Sequence, residues 1–307
     1  MKLVVYGICK NEEVYVDKWV DSVKFELKPG DSINIVDTGS EDDTVARFKK
    51  QGVIPHEIVI KPWRFDAARN VSLHLSDSTA DMAWSLDIDE FPQPGWRDAL
   101  ENVWQKEATR IRYDFIWNFK ENGSPGISFF HDKLHKRHGY TWKGVAHEWL
   151  VLNSREHEYH VWSSDIVVHH LQDKSKERFN RDLTLMERAV EDLPGDARLQ
   201  HYYARQLLWA GQNVKAAEWF QKHLDNPESW WRHERSQSML YLAQCGGNEE
   251  WKDMWLMRAA AECPERREVW WALADREKEK GNEALYNAYM ERAKSLPRNK
   301  YYLSSER

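Results

Sequence analysis

Over the first ninety or so residues, short apolar runs alternate with stretches of helical spacing, and beyond residue 173 only the helical spacing persists. This change of period constrains the fold more than any other feature of the chain. Leu3–Cys9 is an apolar run suited to a strand covered on both faces. Asn11 then precedes Glu12-Glu13, and Trp19, Val20 and Val23 form a helical stripe ending before Pro29-Gly30. Ile33–Val36 predicts a second strand and Asp42–Gln51 a second helix. Ile58–Ile60 and Met82–Leu86 predict two more strands, with a helix over Ala67–Leu75 between them. Strands alternating with helices through short links imply right-handed βαβ units and a mostly parallel sheet.

After Asp89 the pattern lengthens. Thr109–Trp117 and Ile127–Leu134 read as longer strands joined by the turn-rich Asn118–Gly126, and Gly139–Trp142 and Asp165–His170 add further strand character. From Lys174 the chain reads as helix throughout, which predicts an α/β domain over 1–173 and an all-α domain over 174–307. In the second part Pro194, Pro227, Pro264 and Pro297 stand 33, 37 and 33 residues apart, with Gly211, Gly246-Gly247 and Gly281 between them. A helix–Gly turn–helix–Pro unit of about 34 residues is the tetratricopeptide (TPR) pattern. Tyr203-Ala204, Gly211, Ala217, Phe220 and Pro227 follow it best; a plain helical bundle would contain the same helices.

Composition narrows the function classes. No window approaches the roughly 20 apolar residues of a membrane span. The first residues, Met1 to Gly7, turn polar too soon for a signal peptide and read as the first strand. Cys9, Cys245 and Cys263 are odd in number and lack metal-ligand spacing, so the expected setting is reducing and cytoplasmic. The net charge of -6, with both signs interspersed, lacks the concentrated basic face of a nucleic-acid binder but leaves room for a local basic groove. About half of the 17 tryptophans fall in the helical part, where packing accounts for most of them.

The chemistry gathers at predicted strand ends. In Trp84-Ser85-Leu86-Asp87-Ile88-Asp89-Glu90 an apolar strand runs into an Asp-x-Asp pair. Ligands of open α/β sheets bind beyond the carboxyl ends of strands, and strand alternation puts Asp87 and Asp89 on one side. Two such carboxylates suit a hard divalent cation, Mn2+ or Mg2+, that neutralises a diphosphate; a solvated acidic turn is the plain alternative. Asp37-Thr38-Gly39-Ser40 ends the second strand, where Asp37 could accept from a base or ribose and the loop could donate backbone N–H groups; Ser40 or Asp42 would also cap the following helix. Arg69 and Asn70 lie in the third helix, where an arginine could pair with phosphate or simply form a salt bridge.

Taken together, Ile8-Cys9-Lys10-Asn11-Glu12-Glu13, the Asp37-Thr38-Gly39-Ser40 loop, Ala68-Arg69-Asn70 and Leu86-Asp87-Ile88-Asp89-Glu90 resemble glycosyltransferase family 2, in order and spacing. The likeness is to the bacterial branch with TPR-like tails. Gly144-Val145-Ala146-His147-Glu148 is similar to that branch's His-Glu motif, and Ile166-Val167-Val168-His169-His170 to its later strand ending in histidine. The resemblance implies a GT-A fold, a nucleotide-diphosphate sugar donor (UDP-linked), a divalent metal and inversion at the anomeric carbon, with transfer of a hexose or pentose. It implies that Asp37, with Gly39, Arg69 and Asn70, serves the nucleotide, that Asp87 faces the ribose or donor sugar, and that Asp89 is the main metal ligand. Relatives often carry an aromatic residue after the strand histidine; here the order is His169-His170-Leu171, which leaves open which imidazole joins Asp89 and Asp87 at the metal. Inversion needs a general base, for which Glu148 is the first choice and His147 or Asp114 the reserves.

Two competing functions stay in view: a noncatalytic interaction protein built on a decayed transferase domain, and another metal-dependent enzyme such as a nucleotidyltransferase, against which the missing Gly-rich triphosphate loop counts. The acceptor is open among a protein side chain, which TPR-like surfaces favour, a glycan, a lipid-linked sugar and a modified base in DNA. His131-Asp132-Lys133-Leu134-His135-Lys136-Arg137-His138 reads as a basic hairpin suited to an acidic acceptor rather than as a zinc site.

Overall fold

The computed structural model describes residues 1–105, 107–153, 157–171 and 179–297. The chain divides into two compact units between residues 176 and 177. The expected boundary after residue 173 lies outside the described residues.

The first unit contains β1 (Leu3–Cys9), α1 (Glu13–Lys24), β2 (Ser32–Asp37), α2 (Thr44–Lys50), β3 (His56–Glu57), α3 (Phe65–Leu75), β4 (Met82–Ser85) and β5 (Glu90–Pro92). There follow α4 (Trp96–Val103), β6 (Arg110–Ile116), β7 (Ser128–Lys136), β8 (Tyr140–Lys143), β9 (Trp149–Leu152) and β10 (His160–His170). Eight strands form one mixed sheet in the order β3-β2-β1-β4-β7-β6-β10-β5. Pairings among β3, β2, β1 and β4 are parallel, as is that of β6 with β10; β7 runs antiparallel to both β4 and β6, and β5 antiparallel to β10. The strands β8 and β9 form a separate hairpin.

Both faces of the sheet are covered, which is why β1 reads as a nearly continuous apolar run. On one side Leu3, Val5 and Trp84 pack with Trp19 and Val20 of α1 and with Trp96 and Leu100 of α4. On the other, Val4, Tyr6 and Ala83 pack with Leu73 of α3 and with Tyr140, Trp142 and Leu150 of the β8–β9 hairpin. A buried polar chain crosses this second layer: Trp142 Nε1 donates to the Tyr6 hydroxyl, which lies 2.8 Å from His135 Nε2, while His135 Nδ1 lies 2.7 Å from the Lys136 carbonyl.

The stretch expected to be a basic hairpin is corrected here. Residues 131–136 belong to β7, in the middle of the sheet, and Lys133, His135 and Arg137 are buried. An exposed basic patch for an acidic acceptor is therefore absent at these positions. The strand expected over Ile58–Ile60 sits two residues earlier, because Ile58 N already closes the ladder on Asp37 O and Val59 is exposed.

The second unit is helical: α5 (Phe179–Asp192), α6 (Ala197–Trp209), α7 (Asn213–Asp225), α8 (Arg232–Gln244), α9 (Glu249–Glu262), α10 (Arg267–Glu279) and α11 (Glu283–Ser295). Helices α6 and α7, α8 and α9, and α10 and α11 pack as successive hairpins. Side chains of Asp196, Asn248 and Asn282 cap α6, α9 and α11. A buried polar chain joins α6, α7 and α8, with His201 Nδ1 2.7 Å from Ser238 Oγ and Ser238 Oγ 2.9 Å from His223 Nδ1. Among the described residues no helix is long and apolar enough to cross a membrane.

Candidate active site

The carboxyl ends of β1, β2 and β4 lie side by side, and the charged residues gather just beyond them. Asp37 closes β2 and is buried. Its Oδ2 accepts from Gly39 N at 2.9 Å and Ser40 N at 3.0 Å, and its Oδ1 from the Ser40 hydroxyl. Gly39 takes φ +101°, a left-handed conformation that side chains resist, so this turn requires glycine. Ser40, in turn, accepts from Asn11 N at 3.0 Å, and Asn11 Oδ1 accepts from Glu41 N at 2.8 Å. The loops after β1 and β2 are thus knitted into one rim, with Asp37 as its internal fastener.

The Asp-x-Asp segment is held as closely. A Cβ on Gly7 would lie 2.5 Å from the Leu86 carbonyl, so the segment passes β1 at a distance only glycine permits. Trp19 Nε1 donates to the Asp87 carbonyl at 2.9 Å. The Asp87 carboxylate receives Arg69 Nη1 at 2.7 Å and Nη2 at 3.0 Å, and Lys133 Nζ at 3.0 Å. Lys133 Nζ also reaches Glu90 Oε1 at 2.6 Å. Burial alone would raise the Asp87 pKa, but the Arg69 and Lys133 cations outweigh it and hold the carboxyl well below its usual range. For Glu90 burial wins over Lys133 and pushes the carboxyl up to about 7.

Arg69 is itself buried. It donates to Glu148 Oε1 from Nε at 2.5 Å and to Ser85 Oγ from Nη1 at 3.1 Å, and its guanidinium lies 5.0 Å from the Trp142 ring centre. The guanidinium expected to meet phosphate is thus engaged by protein groups and joins two sequence-distant candidates, Asp87 and Glu148. Asn70 is engaged in the same way: its amide donates to Trp142 O and accepts from Trp142 N, both at 2.9 Å, fixing β8 to α3. His147, next to Glu148, is exposed and holds φ +51°, a conformation that costs a non-glycine residue energy and marks sites where geometry is imposed. Asp114 lies two residues short of the end of β6, in register with Phe130 and Val167.

The two histidines of β10 have separate surroundings. His169 Nδ1 accepts from Gln93 Nε2 at 2.8 Å, and its ring meets Phe119 edge-on. His170 is buried, stacks on Trp117 at 4.3 Å and places Nε2 3.4 Å from Asp89 Oδ2. Its Nδ1 lies 3.2 Å from the Trp117 carbonyl, an acceptor only, so Nδ1 carries hydrogen and Nε2 is the nitrogen turned to Asp89. Burial works against charge on this imidazole, but Asp89 more than offsets it and raises the pKa. The Leu171 N–H to Asp89 carbonyl bond, 2.9 Å, locks the end of β10 to the Asp-x-Asp loop.

Asp89 and His170 are the residues here that could hold a divalent cation. Two bonds of about 2.1 Å at a right angle put donor atoms roughly 3 Å apart, close to the observed spacing. A histidine whose far nitrogen donates to a carbonyl is the usual support of a metal ligand. Lys133 is the residue that sequence reasoning missed: inside an apparently basic run, only the antiparallel course of β7 shows that it turns inward to Asp87 and Glu90.

No protein-family model matches the chain, and no curated protein matches it. Among solved structures, the chain is similar to glucosyl-3-phosphoglycerate synthase from Mycobacterium tuberculosis, a structure holding Mn2+, UDP-glucose and phosphoglyceric acid, with 21% identity and a TM-score of 0.32. That likeness covers 38% of this chain and 44% of the synthase, so the chain spans less than half of that protein. It is also similar to MamA (12% identity, 41% of this chain and 75% of that one, TM-score 0.33). A third likeness is to a thermophilic TPR protein of Thermus thermophilus (20% identity, 39% and 66%, TM-score 0.31).

Proposed function

We propose that the first unit is an inverting, metal-dependent glycosyltransferase of the GT-A type that takes its sugar from a UDP-linked donor. The observation that carries this reading is the Asp89–His170 pair, whose imidazole is oriented by the Trp117 carbonyl beside the clamped Asp87. Asp89 and His170 would hold Mn2+ or Mg2+; the bound cation would offset charge on the departing diphosphate. The chain's own groups do the rest. The rim fastened by Asp37 and Gly39 receives the nucleoside. Arg69 and Lys133 fix Asp87 toward the ribose or donor sugar. Glu148, held at the same guanidinium, accepts the proton of the attacking hydroxyl, with the exposed His147 adjacent.

The helical unit is the acceptor-selecting part in this reading. Stacked helical hairpins build extended surfaces suited to peptides, which favours a protein side chain as acceptor. The test of function is a hydrolysis screen of common nucleotide sugars with and without Mn2+. Metal-dependent release of a nucleoside diphosphate from one donor is expected. No binding of any nucleoside diphosphate in calorimetry would overturn the reading and leave an interaction protein.

A further inference from the structure

We propose that the helical unit carries a metal site of its own, for a borderline-soft cation such as Zn2+, formed by His233, Cys263 and Glu265. The ligand atoms of these three residues all lie within 4.8 Å of one another, the one such three-residue group among the described residues. His233 stands in the first turn of α8, Cys263 at the C-terminal cap of α9, and Glu265 two residues further on. Cys263 Sγ and His233 Nδ1 are 3.4 Å apart. Bonds of about 2.3 Å to sulfur and 2.0 Å to nitrogen at a tetrahedral angle place those two atoms about 3.5 Å apart. One edge of a zinc tetrahedron is therefore already in place.

The supports are rigid. Cys263 N donates to Ala259 O at 3.2 Å, and the Cys263 carbonyl accepts from Arg266 N at 3.1 Å. The buried Arg266 guanidinium donates to the His233 carbonyl, so one residue fixes the backbone of both ligands. Ser236 Oγ, one turn beyond His233, donates to Ala259 O at 2.9 Å and pins α8 to the last turn of α9. Glu265 lies on the solvent side, with Oε2 3.7 Å from the Arg232 guanidinium. It completes the set by turning an oxygen toward the pair.

The donor chemistry selects the ion. Thiolate and imidazole favour zinc over magnesium or manganese, whereas Asp89 with His170 offers a harder pair. On binding, the Cys263 thiol loses its proton to solvent and Sγ donates the freed electron pair, His233 donates from Nδ1, and the Glu265 carboxylate supplies the remaining negative charge. Three protein ligands leave a fourth position for water. The ion would staple α8 to the α9–α10 turn, adding its binding energy to the stability of the unit.

Cobalt substitution in the full-length protein tests this independently of any transferase activity. A stoichiometric amount of Co2+ is expected to produce thiolate-to-metal charge-transfer absorption in the near ultraviolet, removed by Zn2+. Cys263→Ser should abolish the band, while Cys245→Ser and Asp89→Ala should keep it. His233→Ala and Glu265→Gln should each weaken Co2+ binding about tenfold or more, since even outer-shell changes at metal sites cost that much. These two variants carry the test if Cys263→Ser fails to fold by circular dichroism. Absence of the band in the unaltered protein, its survival in folded Cys263→Ser, or undiminished affinity in both other variants would overturn the site.

Discussion

Arg69 grips Asp87 with two nitrogens, Nη1 2.7 Å from Oδ1 and Nη2 3.0 Å from Oδ2, while its Nε holds Glu148 at 2.5 Å. One buried cation therefore sets the positions of two carboxylates from different parts of the chain. Removing it leaves both without their main counter-charge, and breaking a buried pair by deleting one partner costs about 3–5 kcal/mol. Arg69→Ala is expected to lower the unfolding free energy, read from urea titration, by about 3 kcal/mol, the lower figure, because Asp87 keeps Lys133. Arg69→Lys should recover only part of this, since an ammonium cannot make the fork. A midpoint unchanged in Arg69→Ala would refute the clamp.

The β10 histidines should behave differently toward metal. His170→Ala and Asp89→Ala are each expected to weaken Mn2+ binding tenfold or more and to remove metal-dependent turnover, on the order of the loss seen at metal-site supports. His169→Ala should bind Mn2+ as the unaltered protein does, because its nitrogen faces Gln93. Manganese titration followed by electron paramagnetic resonance separates the cases. Equal losses in both histidine variants would contradict the assignment, as would full activity in EDTA.

Lys133→Met should make stability depend on pH in a recognisable way. Without the ammonium, Asp87 and Glu90 face one another across a buried space, and Glu90, already raised by burial, is the group that takes up a proton. A folded-state pKa above the unfolded value means that protonation stabilises the fold as pH falls through it. The deficit of Lys133→Met relative to the parent is expected to be larger at pH 8 than at pH 5 in urea titrations. A deficit that grows on acidification would show that Glu90 is not the responsive group.

Buried neutral histidines give the opposite slope. Burial holds His135 down to about 3 and His201 well below the ordinary imidazole range, one in each unit. Both are uncharged in the fold and become charged on unfolding at mildly acidic pH. Their contribution is complete above the unfolded value of about 6.5 and is lost progressively as pH falls toward the folded values. His135→Gln should flatten the acid limb of the first unit's unfolding curve between pH 6 and pH 4. An unchanged limb would place the acid sensitivity elsewhere.

The order of the first elements was legible because β1, most of β2 and β4 are buried, so that each carries a short, mainly apolar run. The short β5, the hairpin strand β9 and the helix α4 were not, since three to eight residues carry too little periodicity to register. At the site, the pattern placed Asp37 at the end of β2, whereas β4 stops at Ser85, so Asp87 and Asp89 stand in the link to β5 and not on an alternating strand. Their partners were not legible. Lys133 and Glu148 reach Asp87 and Arg69 only through the antiparallel β7 and the loop before β9, contacts of 46 and 79 residues' separation that no local pattern encodes. Asp37 and Asn70 show the converse: both were readable as polar residues near the nucleotide, yet their side chains hold the loop and the hairpin in place.

The last prediction concerns the division of labour between the two units. Every residue proposed for the nucleotide, the transferase metal and the proton lies before residue 171, and the described elements of the second unit are all helices. Such repeats stack into long surfaces that bind polymers or peptides, so their contribution should be to acceptor choice rather than to chemistry. A protein ending at residue 176 is then expected to bind the nucleoside diphosphate with near-normal affinity and to hydrolyse donor slowly, while losing transfer to the natural acceptor. Far-ultraviolet circular dichroism and nucleotide calorimetry on the shortened protein establish first that it is folded. If a folded protein without the helices glycosylates its acceptor at the full-length rate, recognition resides in the α/β unit alone. If it binds no nucleotide although folded, residues beyond 176 belong to the donor site.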